Sequence, residues 1–354
     1  MSLFAALFFA PALLLSAQTA APKTGKPAVK KAAAKPAAKS AGVAVSTASA
    51  VPHQARSREA APAVTPGPDL FKEALEKIRS GDPAERRQSA DFIGQARNAA
   101  GAPALMSALA DDSPRVRQAA ADALGMLTWP AAAPRLAEML LKDGDAGVRQ
   151  QAAISLSYLM DPASAPALVK ALKDSSPAVR YAALHTLAVM KYSPAEDEII
   201  ALLSSDDANM RRGAISALGL LQSKKAAGAV AAALKDPDQY VRLEAVKALG
   251  NIGDAAFSGE LAKLLAQTEQ PQLRVEAALS LAKMGMPDGL LTAYEFVKSA
   301  DLSVRSQALN VIAAAGDARS LQFIEEIYAA EQDPAAKSML DFTRQRLMLR
   351  LRKK

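Results

Sequence analysis

The sequence predicts an all-α protein: a right-handed α-solenoid of about eight to nine stacked helical hairpins, preceded by a disordered N-terminal segment. Three observations predict it. A phrase of the form Val-Arg-x-x-Ala-x-x-Ala-Leu-Gly-x-Leu returns about every thirty-one residues from Asp82 onward. Each return holds two stretches with helical apolar spacing, parted by breaks rich in Pro and Asp. No stretch alternates apolar and polar residues as a half-buried strand would.

Taken in order, residues 1–21 read as a secretory signal. An apolar run from Leu3 to Leu15 leads into Ser16-Ala17-Gln18-Thr19-Ala20-Ala21, small residues that suit signal peptidase, with cleavage after Ala17 or Ala21. The run falls short of the ~20 residues a bilayer-spanning helix needs, so no transmembrane helix is expected in the mature chain. Against this stand an n-region without Lys or Arg and the interruption at Pro11, which leave an uncleaved apolar tail as the other reading. The expectation is export, periplasmic or secreted.

Residues 22–68 are rich in Ala, Lys, Pro and Ser, without apolar periodicity, and read as a disordered linker unable to offset its chain entropy. As a flexible coil it reaches roughly 40 Å end to end. Residues 21–68 carry eight basic side chains against the single acid Glu59. Two readings stand: a solvated spacer, which the lack of aromatics and arginine clusters favours, and a weak electrostatic contact with an anionic surface.

Residues 69–343 read as the solenoid and 344–354 as a basic C-terminal cap or tail. The basic residue of the phrase appears at Arg87, Arg117, Arg149, Arg180, Arg211, Arg242, Arg274, Arg305 and Lys337, a near-constant interval that chance does not produce. In the second copy Val116, Ala120, Ala123, Leu124 and Leu127 share one helical face, and the small residues allow close approach of neighbouring helices. The other helix of each unit opens on Ala-x-Pro-x-Leu, as at Ala165-Pro166-Ala167-Leu168, where a first-turn proline loses nothing. It ends in Leu-Lys-Asp, as at Leu172-Lys173-Asp174, and an Asp/Ser/Pro turn caps the next helix. One such pair cannot bury its own apolar stripe, so the pairs must stack.

These residues resemble HEAT repeats, specifically the short HEAT-like type known from phycocyanobilin lyases, over about residues 82–343. The resemblance implies that the Asp before each turn and the Arg five or six residues later form a hydrogen-bonded ladder between repeats. The matching pairs are Asp112/Arg117, Asp143/Arg149, Asp174/Arg180, Asp206/Arg211 and Asp236/Arg242, with Arg274 and Arg305 continuing the series. Gln270 stands where the seventh unit should have its Asp, and Arg86 replaces the apolar Val in the first. The one-per-repeat arginines are thus read as structural rather than phosphate-binding.

Composition excludes much chemistry. The absence of cysteine rules out disulfides, thiolate catalysis and zinc or iron–sulfur ligation by Cys. Two histidines, His53 and His185, cannot build a multi-histidine metal site, so no metal is expected. The family includes deoxyhypusine hydroxylase, whose His-Glu pairs hold two irons; a single repeat histidine excludes that chemistry. Bilin-lyase-like action on a bound cofactor is a weak alternative. No nucleotide-binding, hydrolase or zincin motif is present, and no cofactor or catalytic residue is expected.

The expected recognition surface is the concave side, lined in HEAT-like arrays by the Val-Arg helix. Counting from its Val, offsets +2 and +6 lie opposite the buried stripe and yield Gln118, Gln150, Tyr181, His185, Arg212, Ser216, Leu243, Lys247 and Val275 as candidate partner-binding residues. Exposed aliphatics at Leu243, Val275 and Leu279 would mark a groove; the other reading is that curvature buries them. His185 reads as an ordinary groove residue rather than a pH sensor, and Trp129 as a packing plug. Residues 342–354 read as a capping helix with a basic end, or as a membrane-surface helix.

The function expected is that of a non-catalytic scaffold or adaptor for a protein or peptide. The alternative is nucleic-acid binding through the basic linker. Residues 69–343 hold 29 basic against 35 acidic groups, net −6, which opposes duplex binding by phosphate neutralisation.

Overall fold

A computed structural model describes residues 68–267 and 270–352. The expected signal, and the linker apart from its last residue, Pro68, lie outside the described residues. Among those described there is no strand, and eighteen α-helices form nine consecutive hairpins. The first helix of the first hairpin is α1 (Pro68–Lys77), and the second α2 (Pro83–Gln95). There follow α3 (Ala102–Ala108) with α4 (Pro114–Met126), α5 (Ala133–Lys142) with α6 (Ala146–Leu159), and α7 (Ala165–Ala171) with α8 (Pro177–Val189). Then come α9 (Glu196–Ala201) with α10 (Ala208–Leu221), α11 (Ala227–Ala232) with α12 (Gln239–Ile252), and α13 (Ser258–Gln267) with α14 (Pro271–Lys283). The array ends with α15 (Leu290–Phe296) and α16 (Leu302–Ala315), then α17 (Ala318–Ala330) and α18 (Pro334–Leu351).

Local chemistry sets the boundaries. The carboxylates of Asp82, Asp145, Asp207, Asp238 and Asp301 accept first-turn amide bonds of α2, α6, α10, α12 and α16. Proline opens α2, α4, α8, α14 and α18, where its missing N–H is no loss. From α2 to α14, the second helices end on a left-handed residue in the same place: Arg97, Thr128, Met160, Lys191, Gln222, Gly253 and Gly285. Only the last two are glycine, so five hairpins hold an L side chain in a conformation that glycine adopts without strain.

Second helices stack on one another through small residues. A Cβ on Gly125 would come within 3.1 Å of the Ser155 backbone, and one on Gly219 within 3.0 Å of Ala248 Cα. Buried hydroxyls then reach across: Ser155 donates to the Ala121 carbonyl and Ser280 to that of Val246, both at 2.8 Å, and Thr186 to that of Ala153 at 2.9 Å. Contacts between successive second helices are denser than those between first helices, so the second helices form the inner side of the stack. Leu and Ala residues of both helix types fill a core that runs along the array and continues through Val275, Val304, Ile312 and Leu347.

The last helix, α18, runs unbroken from Pro334 through residue 344 to Leu351. Its arginines are held by the body. Arg350 donates to the Ala314 carbonyl at 2.6 Å and to that of Gly316, satisfying the end of α16. Arg346 donates to Asn310 at 3.0 Å, and Arg344 lies over the Tyr328 ring at 4.7 Å. No described helix is long and apolar enough to cross a membrane.

Candidate interaction surface

The arginine at the fourth position of the second helix builds a ladder, and its geometry corrects the pairing expected from sequence. Arg117 reaches forward one repeat: its Nε donates to Asp143 at 2.8 Å and its Nη2 at 2.7 Å. Its Nη1 reaches back to the Asp111 carbonyl at 2.9 Å and the Asp112 carbonyl at 3.2 Å. Arg86–Asp111, Arg149–Asp174 and Arg211–Asp236 repeat the bidentate bond at 2.7–2.9 Å. The four carboxylates are only 8–12% exposed, so the rungs are largely removed from solvent.

Asp112 and Asp206 are exposed turn residues, not rungs; the rung carboxylate is Asp111, and Ser205 occupies the place equivalent to it before α10. The first rung arginine is Arg86, whereas Arg87 pairs with Asp91 on its own helix at 2.8 Å. Gln270 is the N-cap of α14, not a failed rung. Arg180 bonds the Asp174 and Ser175 carbonyls, and the forward bridge is taken over by Tyr181, whose hydroxyl meets Asp207 at 3.4 Å. Arg242 likewise bonds the Asp236 and Pro237 carbonyls. Arg274 turns to the Leu265 carbonyl and Glu295, and Arg305 to the Ser299 carbonyl.

Hydrogen bonds from Arg86, Arg149 and Arg211 hold the Asp111, Asp174 and Asp236 carboxyls below their ordinary range. Burial pushes Asp143 upward, but the bonds from Arg117 and the Asp145 amide bring it below that range too.

The inner-face candidates divide. Gln118, His185 and Arg212 are exposed; Gln150, Tyr181, Ser216, Leu243 and Lys247 are half-buried. Val275 is 1% exposed and belongs to the core, so it is removed from the surface. Leu279 packs against the same cluster as Val275 and Leu243 against the one that precedes it, so neither stands free on the surface. Burial pushes the Tyr181 phenol up to about 12, helped by Asp207, so it remains a neutral donor. Crowding by the surrounding helices pulls the His185 imidazole below its ordinary value although its edge is accessible.

Offsets +2 and +6 miss a row at offset +10. There Tyr158, Val189 and Leu220 are 53%, 39% and 47% exposed on three successive second helices. Each sits one turn beyond an inner-face residue, Ile154, His185 or Ser216, and so shares its face. Met126 extends the row on α4, half-buried. The equivalent places before and after are Gln95, Asn251, Lys283 and Ala314, so the ribbon is confined to the middle of the array. The signal was in the sequence, as three large apolar residues one repeat apart.

Charge brackets the ribbon. At the α2–α4 end lies a shallow hollow of about 450 Å³ lined by Arg87, Asp91, Arg115, Gln118, Asp122 and Gln151. Burial raises both carboxyls there, and Asp91 raises Asp122 further. At the other end stand Lys247 and Lys283, the latter donating to Asn251 at 2.9 Å. Beside them Glu276 is 4% exposed, and burial pushes its carboxyl up despite both lysines. Among the described residues no group of three or more His, Asp or Glu could hold a metal ion.

None of the curated proteins matches the chain. Among solved structures, the complex of CpcE and CpcF of phycocyanin lyase from Nostoc sp. PCC7120 is 25% identical, covering 68% of this chain and 93% of that one, with a TM-score of 0.42. The YIBA_ECOLI protein is 20% identical over 69% and 95% of the two chains, with a TM-score of 0.49. A chain of the full-length AP-3 complex in an intermediate open conformation is 17% identical over 75% and 55%, with a TM-score of 0.50. The family model for HEAT repeats matches residues 69–157, 138–198, 196–269 and 259–340, nearly the whole described array, and the chain therefore belongs to the HEAT-repeat family.

Proposed function

We propose that the chain is a non-catalytic scaffold or adaptor that holds a protein or peptide along the inner face of its HEAT-repeat array. The observation that carries this is the ribbon of Tyr158, Val189 and Leu220. Of the other exposed large apolar side chains, Leu70, Leu141 and Leu291 stand on first helices, Tyr240 and Leu302 at the starts of second helices, Met160 in the turn after α6, and Phe342 and Leu349 on the last helix, α18. Scattered singles need no explanation, but a row repeated over three helices on one face does. Covering what each still exposes, roughly half of the side chain, contributes on the order of 1 kcal/mol, repeated over three helices.

The four rung arginines, Arg86, Arg117, Arg149 and Arg211, do not offer a second site, since each is held bidentately by a carboxylate of the fold. Export to the periplasm or exterior belongs to the same proposal and rests on residues 1–21 alone. N-terminal sequencing of the mature protein tests it, with Gln18 or Pro22 as the expected first residue.

Recovering partners on the full chain and on a chain lacking residues 22–68 tests the binding. Retention by the shortened chain supports the inner face. Binding lost with that segment and falling steeply with salt would favour a nucleic acid instead.

A further inference from the structure

We infer that the array carries a hinge at one joint, between its fourth and fifth hairpins where α8 meets α10, and that the hairpins on either side move about it as two bodies. The hinge stands on the fold alone. Its use in recognition rests on the scaffold reading.

Three ties fasten successive second helices. The first is a bidentate rung, the second a buried hydroxyl donating to a carbonyl of the preceding helix, and the third a glycine that lets two backbones touch. The α2–α4 joint has the Arg86 rung and Gly94, α4–α6 has the Arg117 rung, Ser155 and Gly125, and α6–α8 has the Arg149 rung and Thr186. The α10–α12 joint has the Arg211 rung and Gly219, and α12–α14 has Ser280 and Gly250. The α8–α10 joint has none of the three: Ser205 takes the place of the rung carboxylate, Ala217 that of the hydroxyl and Ala188 that of the glycine.

In their stead the Tyr181 hydroxyl meets Asp207 at 3.4 Å, well beyond the ~2.7–2.8 Å usual for such a bond. Contact between α8 and α10 is also thinner than between any other successive second helices except the last pair, α16 and α18. That last pair is bound together by Arg346 and Arg350. The α14–α16 joint lacks the three ties as well, but Arg274 crosses it to Glu295 and Gln272 to Asp301 at 2.9 Å.

The surfaces at α8–α10 suit sliding. Gly213 lies within α10 and the Tyr181 ring packs over it, so that a Cβ there would come within 3.3 Å of the ring. A ring over bare backbone shifts without passing a side chain, and a glycine inside a helix leaves α10 itself easier to deform. Few contacts and few cross-bonds put a joint at the low-stability end of a fold, and small sliding of packed helices is one way domains close.

The joint divides the recognition surface. Tyr158, Tyr181, His185 and Val189 stand on α6 and α8, while Arg212 and Leu220 stand on α10. Movement there changes the gap between Val189 and Leu220. The gap between Tyr158 and Val189 stays fixed, because the Arg149 rung and Thr186 hold α6 to α8. The hinge thus sets the width of inner face offered to a partner.

Paired spin labels on the full chain, which has no native cysteine, read the hinge with no partner present. Ala110, Lys173 and Lys235 are exposed and hold the same place in the second, fourth and sixth hairpins, each one residue before a rung aspartate. The Ala110→Cys/Lys173→Cys pair spans two tied joints; the Lys173→Cys/Lys235→Cys pair spans α8–α10 and one tied joint. Dipolar spectroscopy is expected to give a broader distance distribution for the second pair, narrowed to match the first when Ser205→Asp restores a rung to Arg180. Equal widths for the two pairs overturn the hinge. A second pair that stays broad with Ser205→Asp overturns the missing rung as the source of the movement. Adding the partner recovered on the full chain is expected to narrow the second pair alone. Binding that leaves its width unchanged overturns the link to recognition and leaves the hinge in place.

Discussion

The ladder skips one rung, and restoring it measures what the others contribute. Ser205 occupies the place held by Asp111, Asp143, Asp174 and Asp236, leaving Arg180 with main-chain carbonyls alone. In the Ser205→Asp variant the new carboxylate meets Arg180 Nε and Nη2 as in the other rungs, at 2.7–2.9 Å. The local turn accepts it. Each rung carboxylate also receives the amide two residues on, at 2.8–3.0 Å, whereas Ser205 Oγ receives that of Asp207 at 3.3 Å. Two charge-assisted bonds contribute about 3–6 kcal/mol before desolvation. Removing a carboxylate from water cancels much of this, and Asp206 and Asp207 repel it, leaving a net gain of about 1–2 kcal/mol. The assay is urea unfolding of wild type, Ser205→Asp, Arg180→Gln and the double variant, whose cycle isolates the coupling of Arg180 to the introduced carboxylate. A coupling under about 0.3 kcal/mol, within the additivity error of such cycles, would refute the claim that the rungs hold repeats together.

Asp143→Ala strands Arg117 in a nearly dry site and costs about 3–5 kcal/mol, read by the same unfolding assay. The four rung carboxyls are depressed in the folded state, so their stabilisation is present above the ordinary Asp value of about 3.9 and is lost as pH falls below it. Glu276 has the opposite sign: its raised carboxyl favours the fold when protonated, and this is lost as pH rises. Glu276→Gln therefore stabilises the protein at pH 7 and not at pH 4, checked by unfolding at both. Thr128→Gly relieves a β-branched residue from a left-handed turn (φ 47°) and adds about 0.5–1 kcal/mol, checked by thermal unfolding.

The repeat was legible because one physical need, close stacking of identical hairpins, imposes the same residues every turn of the array. Its register was less so where like residues adjoin. Arg86-Arg87 and Asp111-Asp112 each offer two candidates to a motif one residue wide, and at Asp206-Asp207 neither is the rung, whose place Ser205 holds; only geometry decides. The inner face lies further round the helix than the position opposite the buried stripe. On a helical wheel +2 and +6 straddle that opposite position, while the exposed row at +10 is turned beyond +6 by about 40°. A second helix touches its own first helix and a second helix on each side, so its free arc is narrow and displaced. Val275, at +2, points into the next helix for that reason, and Tyr158, at +10, points out.

If the rungs serve architecture and the ribbon serves recognition, one comparison separates the two most directly. The partner recovered on the full chain is titrated against wild type, the Tyr158→Glu/Val189→Glu/Leu220→Glu variant and the Asp143→Ala variant, with unfolding followed in parallel. The predicted result is a loss of at least a hundredfold in affinity with unchanged unfolding for the ribbon variant, and the reverse for the rung variant. Undiminished binding by a folded ribbon variant would contradict this division of roles.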